Sequence, residues 1–152
     1  MSTSAAIVTC KVCGRKNRVP AAASGVPHCS NCHAALPWLA EADDPSYREV
    51  VEASRLPVLL DLWAPWCGPC RMVSPLVEKL GADFAGKVKV VKVNVDEAPG
   101  IAARFEVQGI PTLVVLHHGQ VVERQTGAAP EPVLRSWLER ALQTITVQES
   151  SA

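Results

Sequence analysis

The chain has 152 residues, 48% hydrophobic and 20% charged, with 15 basic side chains matched by 15 acidic ones. That length holds one ordinary domain plus a small appendage, and the zero net charge argues against a nucleic-acid or membrane-surface binder that works by charge excess. No run approaches the ~18 apolar residues a membrane span needs, and the first eight residues lack the basic head and apolar middle of a secretory signal, so the expected location is cytoplasmic.

In chain order, residues 1–9 carry no pattern and are expected to fray. All six cysteines fall in Cys-x-x-Cys pairs: Cys10/Cys13, Cys29/Cys32 and Cys67/Cys70. In a reducing compartment such pairs signal metal binding or redox catalysis more than structural disulfides. Residues 10–33 hold the first two pairs and are too few for a core, so they fold only if stapled. A short apolar run at 36–40 reads as a strand, and residues 47–53 read as a helix with Asp44 at its N-cap and Pro45 at its first position. Residues 57–63 form a near-continuous apolar run, the pattern of a buried strand. A helix is expected from Pro69 to Phe84, with Met72, Val73, Leu76, Val77 and Leu80 at helical spacing and a kink at Pro75.

Beyond it come a strand at 87–95, a short helix at 99–105, and strands at 112–116 and 120–125 joined by His117-His118-Gly119. A closing helix at 130–142 carries Val133, Leu134, Trp137, Leu138 and Leu142 on one face. The order β-α-β-α-β-α-β-β-α predicts an α/β fold, a mixed central sheet flanked by helices. The expected division is a metal-holding unit at 1–35, the α/β domain at 36–146, and a disordered tail at 147–152.

Trp66-Cys67-Gly68-Pro69-Cys70 joins the buried strand to the following helix. Cys67 at a helix N-terminus meets free N–H groups and the positive end of the macrodipole, which favour the thiolate that attacks disulfides. Cys70, three residues on, is close enough to resolve the mixed disulfide and is expected to be the more buried of the two. A metal reading of this pair would need two further ligands, with His117 and His118 the spare candidates. No other role is assigned to those histidines. Asp61, a carboxylate inside a buried strand, should have a raised pKa suited to a general base; a satisfied core polar group is the alternative. Trp66 reads as a surface lid, Trp63 and Trp137 as core.

The run Asp61-Leu62-Trp63-Ala64-Pro65-Trp66-Cys67-Gly68-Pro69-Cys70, with Gly109-Ile110-Pro111-Thr112 downstream, closely resembles the thioredoxin family over residues 36–146. The resemblance implies a thioredoxin fold and a protein-disulfide reductase, re-reduced by an NADPH-dependent flavoprotein, thioredoxin reductase. It also implies disulfide-containing protein substrates; no organic cofactor is expected, the charge balance leaves no nucleic-acid or membrane partner expected, and a monomer is expected. Asp61 matches the family's buried aspartate, which takes the proton of the resolving cysteine through water, and Lys92 the lysine paired with it. A strand lysine snorkelling to solvent is the plain alternative for Lys92. Trp66, Gly68, Pro69, Ile110, Pro111 and Gly127 match the substrate-binding rim, with Pro111 expected in the cis form. An ordinary trans proline at an edge strand and an ordinary turn glycine are the alternatives for Pro111 and Gly127. The Gly68-Pro69 dipeptide resembles reductants more than oxidases or isomerases.

The spacing Cys10-x2-Cys13-x15-Cys29-x2-Cys32 fits a structural zinc ribbon, four thiolates around one tetrahedral ion. Lys11, Arg15, Lys16 and Arg18 offset the residual negative charge. His28 and His33 are substitute ligands by chemistry, although spacing favours the cysteines; two disulfides or free redox thiols remain the alternative. A zinc ribbon ahead of such a domain resembles the zinc-bearing second group of bacterial thioredoxins.

Overall fold

The computed structural model describes residues 5–23 and 25–150. The fraying expected at 1–4 lies outside them, as do residues 151 and 152. Residues 5–9, expected to lack structure, form β1 (Ala5–Thr9), which pairs antiparallel with β2 (Lys16–Pro20). β1 shows no apolar/polar alternation, because its order comes from pairing with β2 and not from a buried face of its own.

The remaining strands are β3 (Leu39–Glu41), β4 (Val58–Trp63), β5 (Lys89–Asn94), β6 (Thr112–His117) and β7 (Gln120–Thr126). They form one sheet in the order β3-β5-β4-β6-β7, with β5 parallel to β3 and β4, and β6 antiparallel to both β4 and β7. This is the expected mixed sheet. The helices are α1 (Gly68–Asp83), α2 (Pro99–Arg104) and α3 (Glu131–Ser150). Leu59 faces α1 and α3, packing on Val73, Val77, Leu80, Leu134 and Leu138. Leu60 and Leu62 face the other layer, with Val50, Ile101 and Phe105. Strand alternation therefore places Asp61 on the α1 side.

Four expectations are corrected. The segment at 48–52 is a π-helical turn (Arg48–Glu52) with no side-chain cap. Its entry is held by Asp43 and Ser46, which exchange bonds: Ser46 N donates to Asp43 Oδ1 and Asp43 N to Ser46 Oγ, each 3.0 Å. Asp44 instead reaches α2, accepting from the amides of Gly100 and Ile101 at 2.8 Å each. A Cβ at Gly100 would lie 2.9 Å from that carboxylate, so glycine is what the close approach requires. Met72, assigned to the apolar face of α1, is 72% exposed. The disordered tail expected from residue 147 is replaced, through Ser150, by the last turn of α3. α1 itself runs unbroken through Pro75.

The N-terminal segment is joined to the sheet by buried polar contacts. Lys89, fully buried on β5, donates to the carbonyls of Ala21 (2.5 Å) and Val50 (2.7 Å), and its ammonium lies 4.1 Å from the centre of the Trp38 ring. Trp38 Nε1 donates to Pro20 O at 2.9 Å. Trp38 and Leu36 pack with Cys10, Val19 and Cys29.

Candidate active site and cysteine cluster

β4 delivers the chain into the turn that ends at Cys67, whose backbone is extended while the next residue begins α1. Pro69 sits in the first turn, where a missing N–H costs nothing. Cys67 is itself the N-cap: its sulfur accepts from the amide of Cys70 at 3.2 Å. Cys67 and Cys70 are joined in a disulfide with Cα atoms 5.3 Å apart. The expected difference in burial is absent, for both are below 5% exposed. What separates them is surroundings. Cys67 Sγ lies 3.7 Å from the Ile110 carbonyl oxygen, next to an exposed Trp66, whereas Cys70 belongs to the buried face of α1.

The rim comes from three further places. The Ile110–Pro111 bond is cis. Gly127, at φ 92°, donates its amide to Pro111 O at 2.8 Å, so the two expected rim residues are directly bonded. Trp66 Nε1 donates to Asp96 Oδ2 at 2.9 Å, and Arg71 donates to Pro65 O at 2.8 Å. Asp96 escapes a reading by sequence because its contact spans thirty residues and belongs to no local motif. A shallow apolar cleft of about 350 Å³ between Met72, Val73, Leu76 and the 128–130 segment adjoins the helix that carries the cysteines.

Asp61 is 2% exposed, and its Oδ1 has no hydrogen-bond partner among the described residues. Burial pushes its carboxyl up to about 6, against the opposing pull of Lys92 and with a smaller push from Glu78. Lys92 stands opposite Asp61 in the β4–β5 register, but its ammonium contacts Ser74 Oγ and Glu78 Oε2, the latter at 3.3 Å. The expected direct pair is therefore not formed; Lys92 acts on Asp61 through space.

Away from this site, the sulfurs of Cys10, Cys13, Cys29 and Cys32 lie within 4.8 Å of one another, with Cys10–Cys32 at 3.6 Å and Cys13–Cys29 at 3.5 Å. The two halves repeat one geometry. Gly14 N donates to Cys10 O and His33 N to Cys29 O, each at 2.9 Å, with Gly14 at φ 80° and His33 at φ 66°. His33 thus serves as the turn residue of its knuckle, and the sulfurs are the donors gathered at the centre. The amide of Asn31 and the side chain of Asn17 approach Cys29 Sγ at 3.4 and 3.6 Å. The amides of Cys32 and Asn31, with Asn17, hold the Cys29 thiol down at about 6 despite desolvation. A tetrahedral ion with bonds of 2.3 Å to sulfur requires sulfurs about 3.8 Å apart, so this donor set can hold a metal ion.

A family model described as Thioredoxin matches residues 38–140. A thioredoxin of Synechocystis sp. is 49% identical over 102 residues, covering 67% of this chain and 95% of that protein. One of Haemophilus influenzae is 47% identical over 98 residues, 64% of this chain and 92% of its own. Thioredoxin 1 of Nostoc sp. is 46% identical over 103 residues, 68% and 96% respectively. The matched family region begins after the four-cysteine cluster.

Proposed function

The chain belongs to the thioredoxin family, and from that membership we propose that it reduces protein disulfides through Cys67 as nucleophile and Cys70 as resolving thiol. The enzyme is a thiol–disulfide oxidoreductase with the thioredoxin fold, a protein-disulfide reductase. In the reduced form the Cys67 thiolate attacks one sulfur of a substrate disulfide and expels the other as a thiolate. Asp61, held protonatable near neutrality by burial, accepts the Cys70 proton through water. The Cys70 thiolate then attacks Cys67 Sγ, forming the Cys67–Cys70 bond and releasing the second substrate sulfur. Two electrons leave the enzyme, and the two substrate thiolates become thiols by taking one proton equivalent to that given up by Cys70 and one from solvent. Lys92 tempers the pKa of Asp61; Trp66, Gly68, Pro69, Ile110, Pro111 and Gly127 form the rim against which substrate backbone lies. The observation that carries the reading is the sulfur of Cys67 at the N-cap of α1, bonded by the Cys70 amide beside the Ile110 carbonyl.

The same reading has the oxidised pair re-reduced by an NADPH-dependent flavoprotein reductase. It has residues 1–35 as a structural zinc ribbon on Cys10, Cys13, Cys29 and Cys32, making the chain one of the zinc-bearing second group of bacterial thioredoxins, monomeric and cytoplasmic. Support comes from the paired knuckles and the four convergent sulfurs. Zinc there would supply cross-linking of a segment too small for a core, with no part in the electron transfer.

The test is insulin-disulfide reduction driven by NADPH and a thioredoxin reductase. Cys67→Ser should fall to background, and Cys70→Ser should trap a mixed disulfide through Cys67. Cys29→Ser should lose one bound zinc per chain while retaining turnover. Wild type no faster than Cys67→Ser would overturn the mechanism, and zinc content unchanged in Cys29→Ser would overturn the ribbon.

A further inference from the structure

β6 ends at His117 and turns into β7 through His118 and Gly119, both at positive φ (51° and 78°), the backbone of a two-residue hairpin turn. In that turn the His118 ring lies against His117, centroids 4.0 Å apart and planes inclined by 39°. The last turn of α3 closes on the same point: Glu149 Oε2 is 3.6 Å from His117 Nε2. A ring nitrogen from each histidine and a carboxylate oxygen of Glu149 all lie within 4.8 Å of one another. Among the described residues, no protein hydrogen bond takes up a nitrogen of His118.

We propose that His117, His118 and Glu149 form a second metal site, separate from the four-cysteine cluster, for a divalent transition ion of the zinc class. Two imidazoles and one carboxylate are the donor set such ions take, with water completing the shell. Bonds of about 2.0–2.1 Å require ligand atoms nearer 3.3 Å apart. The exposed side chains of His118 and Glu149 close that gap by rotating, while His117, with 13% of its side chain exposed, fixes one corner. The four sulfurs of the N-terminal cluster make a site closed to solvent ligands; this one is open and built from harder donors, so it binds reversibly and more weakly.

The site also has a mechanical meaning. Ile145 is the last buried residue of α3, and residues 146–149 beyond it are exposed. An ion held by Glu149 and the two histidines would clamp that final stretch to the β6–β7 hairpin. The catalytic pair is not involved, because Thr112, next to Pro111, and His117 stand at opposite ends of β6, about 17 Å apart at strand spacing.

The experiment titrates Zn2+ into the full chain with its purified metal content intact and the Cys67–Cys70 disulfide closed, followed calorimetrically. Wild type should take up one added equivalent. His118→Ala and Glu149→Gln should each weaken that uptake at least tenfold, and His28→Ala on the other unit should leave it unchanged. Binding should raise the wild-type Tm and leave that of His118→Ala where it was. Insulin reduction should be equal in all four proteins, which confirms that each is folded. No added equivalent in wild type, or undiminished affinity in either His118→Ala or Glu149→Gln, overturns the proposal.

Discussion

Replacing Asp61 with alanine should stabilise the oxidised protein, by an amount that grows with pH. A carboxyl with a pKa of about 6 in the fold and 3.8 when unfolded favours folding only while it stays protonated. That contribution is full below pH 3.8 and is lost as pH rises through about 6, where the buried carboxylate must ionise without a partner for Oδ1. The gap of about 2.2 pH units at 1.36 kcal/mol each amounts to about 3 kcal/mol of destabilisation borne by wild type above neutrality. Truncation to alanine opens a small void that takes back about 1 kcal/mol at every pH. The variant should therefore be about 2 kcal/mol more stable at pH 8, and the difference should widen by roughly 1.5 kcal/mol between pH 5 and pH 8. Urea unfolding of both proteins across that range, with the disulfide closed and metal content equal, measures it directly. A difference that does not change with pH, or an alanine variant less stable at pH 8 than at pH 5 relative to wild type, would refute the reasoning.

Other perturbations test separate contacts. Asp44→Ala strips α2 of both amide acceptors and should cost about 1–2 kcal/mol in urea unfolding, with Asp44→Asn recovering part of it. Burial lowers the pKa of Lys89 to about 8, so the unfolded chain binds more protons between pH 8 and 10.5 and wild-type stability rises there. Relative to Lys89→Met, that rise should reach about 3 kcal/mol, and its absence would show the ammonium is not desolvated. Removal of residues 1–33 takes away Ala21 O and Pro20 O, partners of Lys89 and Trp38, and should lower the denaturation midpoint by an amount equivalent to about 2 kcal/mol or more. Insulin reduction at 25 °C should survive in the folded fraction.

The elements that hold the redox pair were legible because their signals are local. The apolar run of β4 and the Gly68-Pro69 opening of α1 each fit within one element, and the His118-Gly119 turn is a short-range hairpin signature. The gathering of four cysteines was legible from spacing alone. What the sequence hid is long-range use of polar groups. Asp44 looks like the cap of the helix it precedes, yet it serves amides more than fifty residues away. Lys89 looks like an ordinary strand lysine, and only the docking of Ala21 and Val50 makes it a buried anchor. Lys92 sits where the resemblance puts it, but Ser74 and Glu78 on α1 supply nearer partners than Asp61.

The bond from Lys89 to Ala21 also sets an order of events during synthesis. Its two ends are 68 residues apart, so at about 5–20 residues per second the N-terminal segment waits roughly 3 to 14 s for its anchor to be made. The four N-terminal cysteines are all complete within the first 32 residues and can gather before any strand of the five-stranded sheet has formed. If they do, Lys89 meets an Ala21 carbonyl already in place, and the N-terminal segment docks as a preformed part. A nascent chain whose N-terminal cysteines fail to gather would leave Lys89 on β5 with the Val50 carbonyl and without that of Ala21, so the defect would surface late, while the sheet is being assembled.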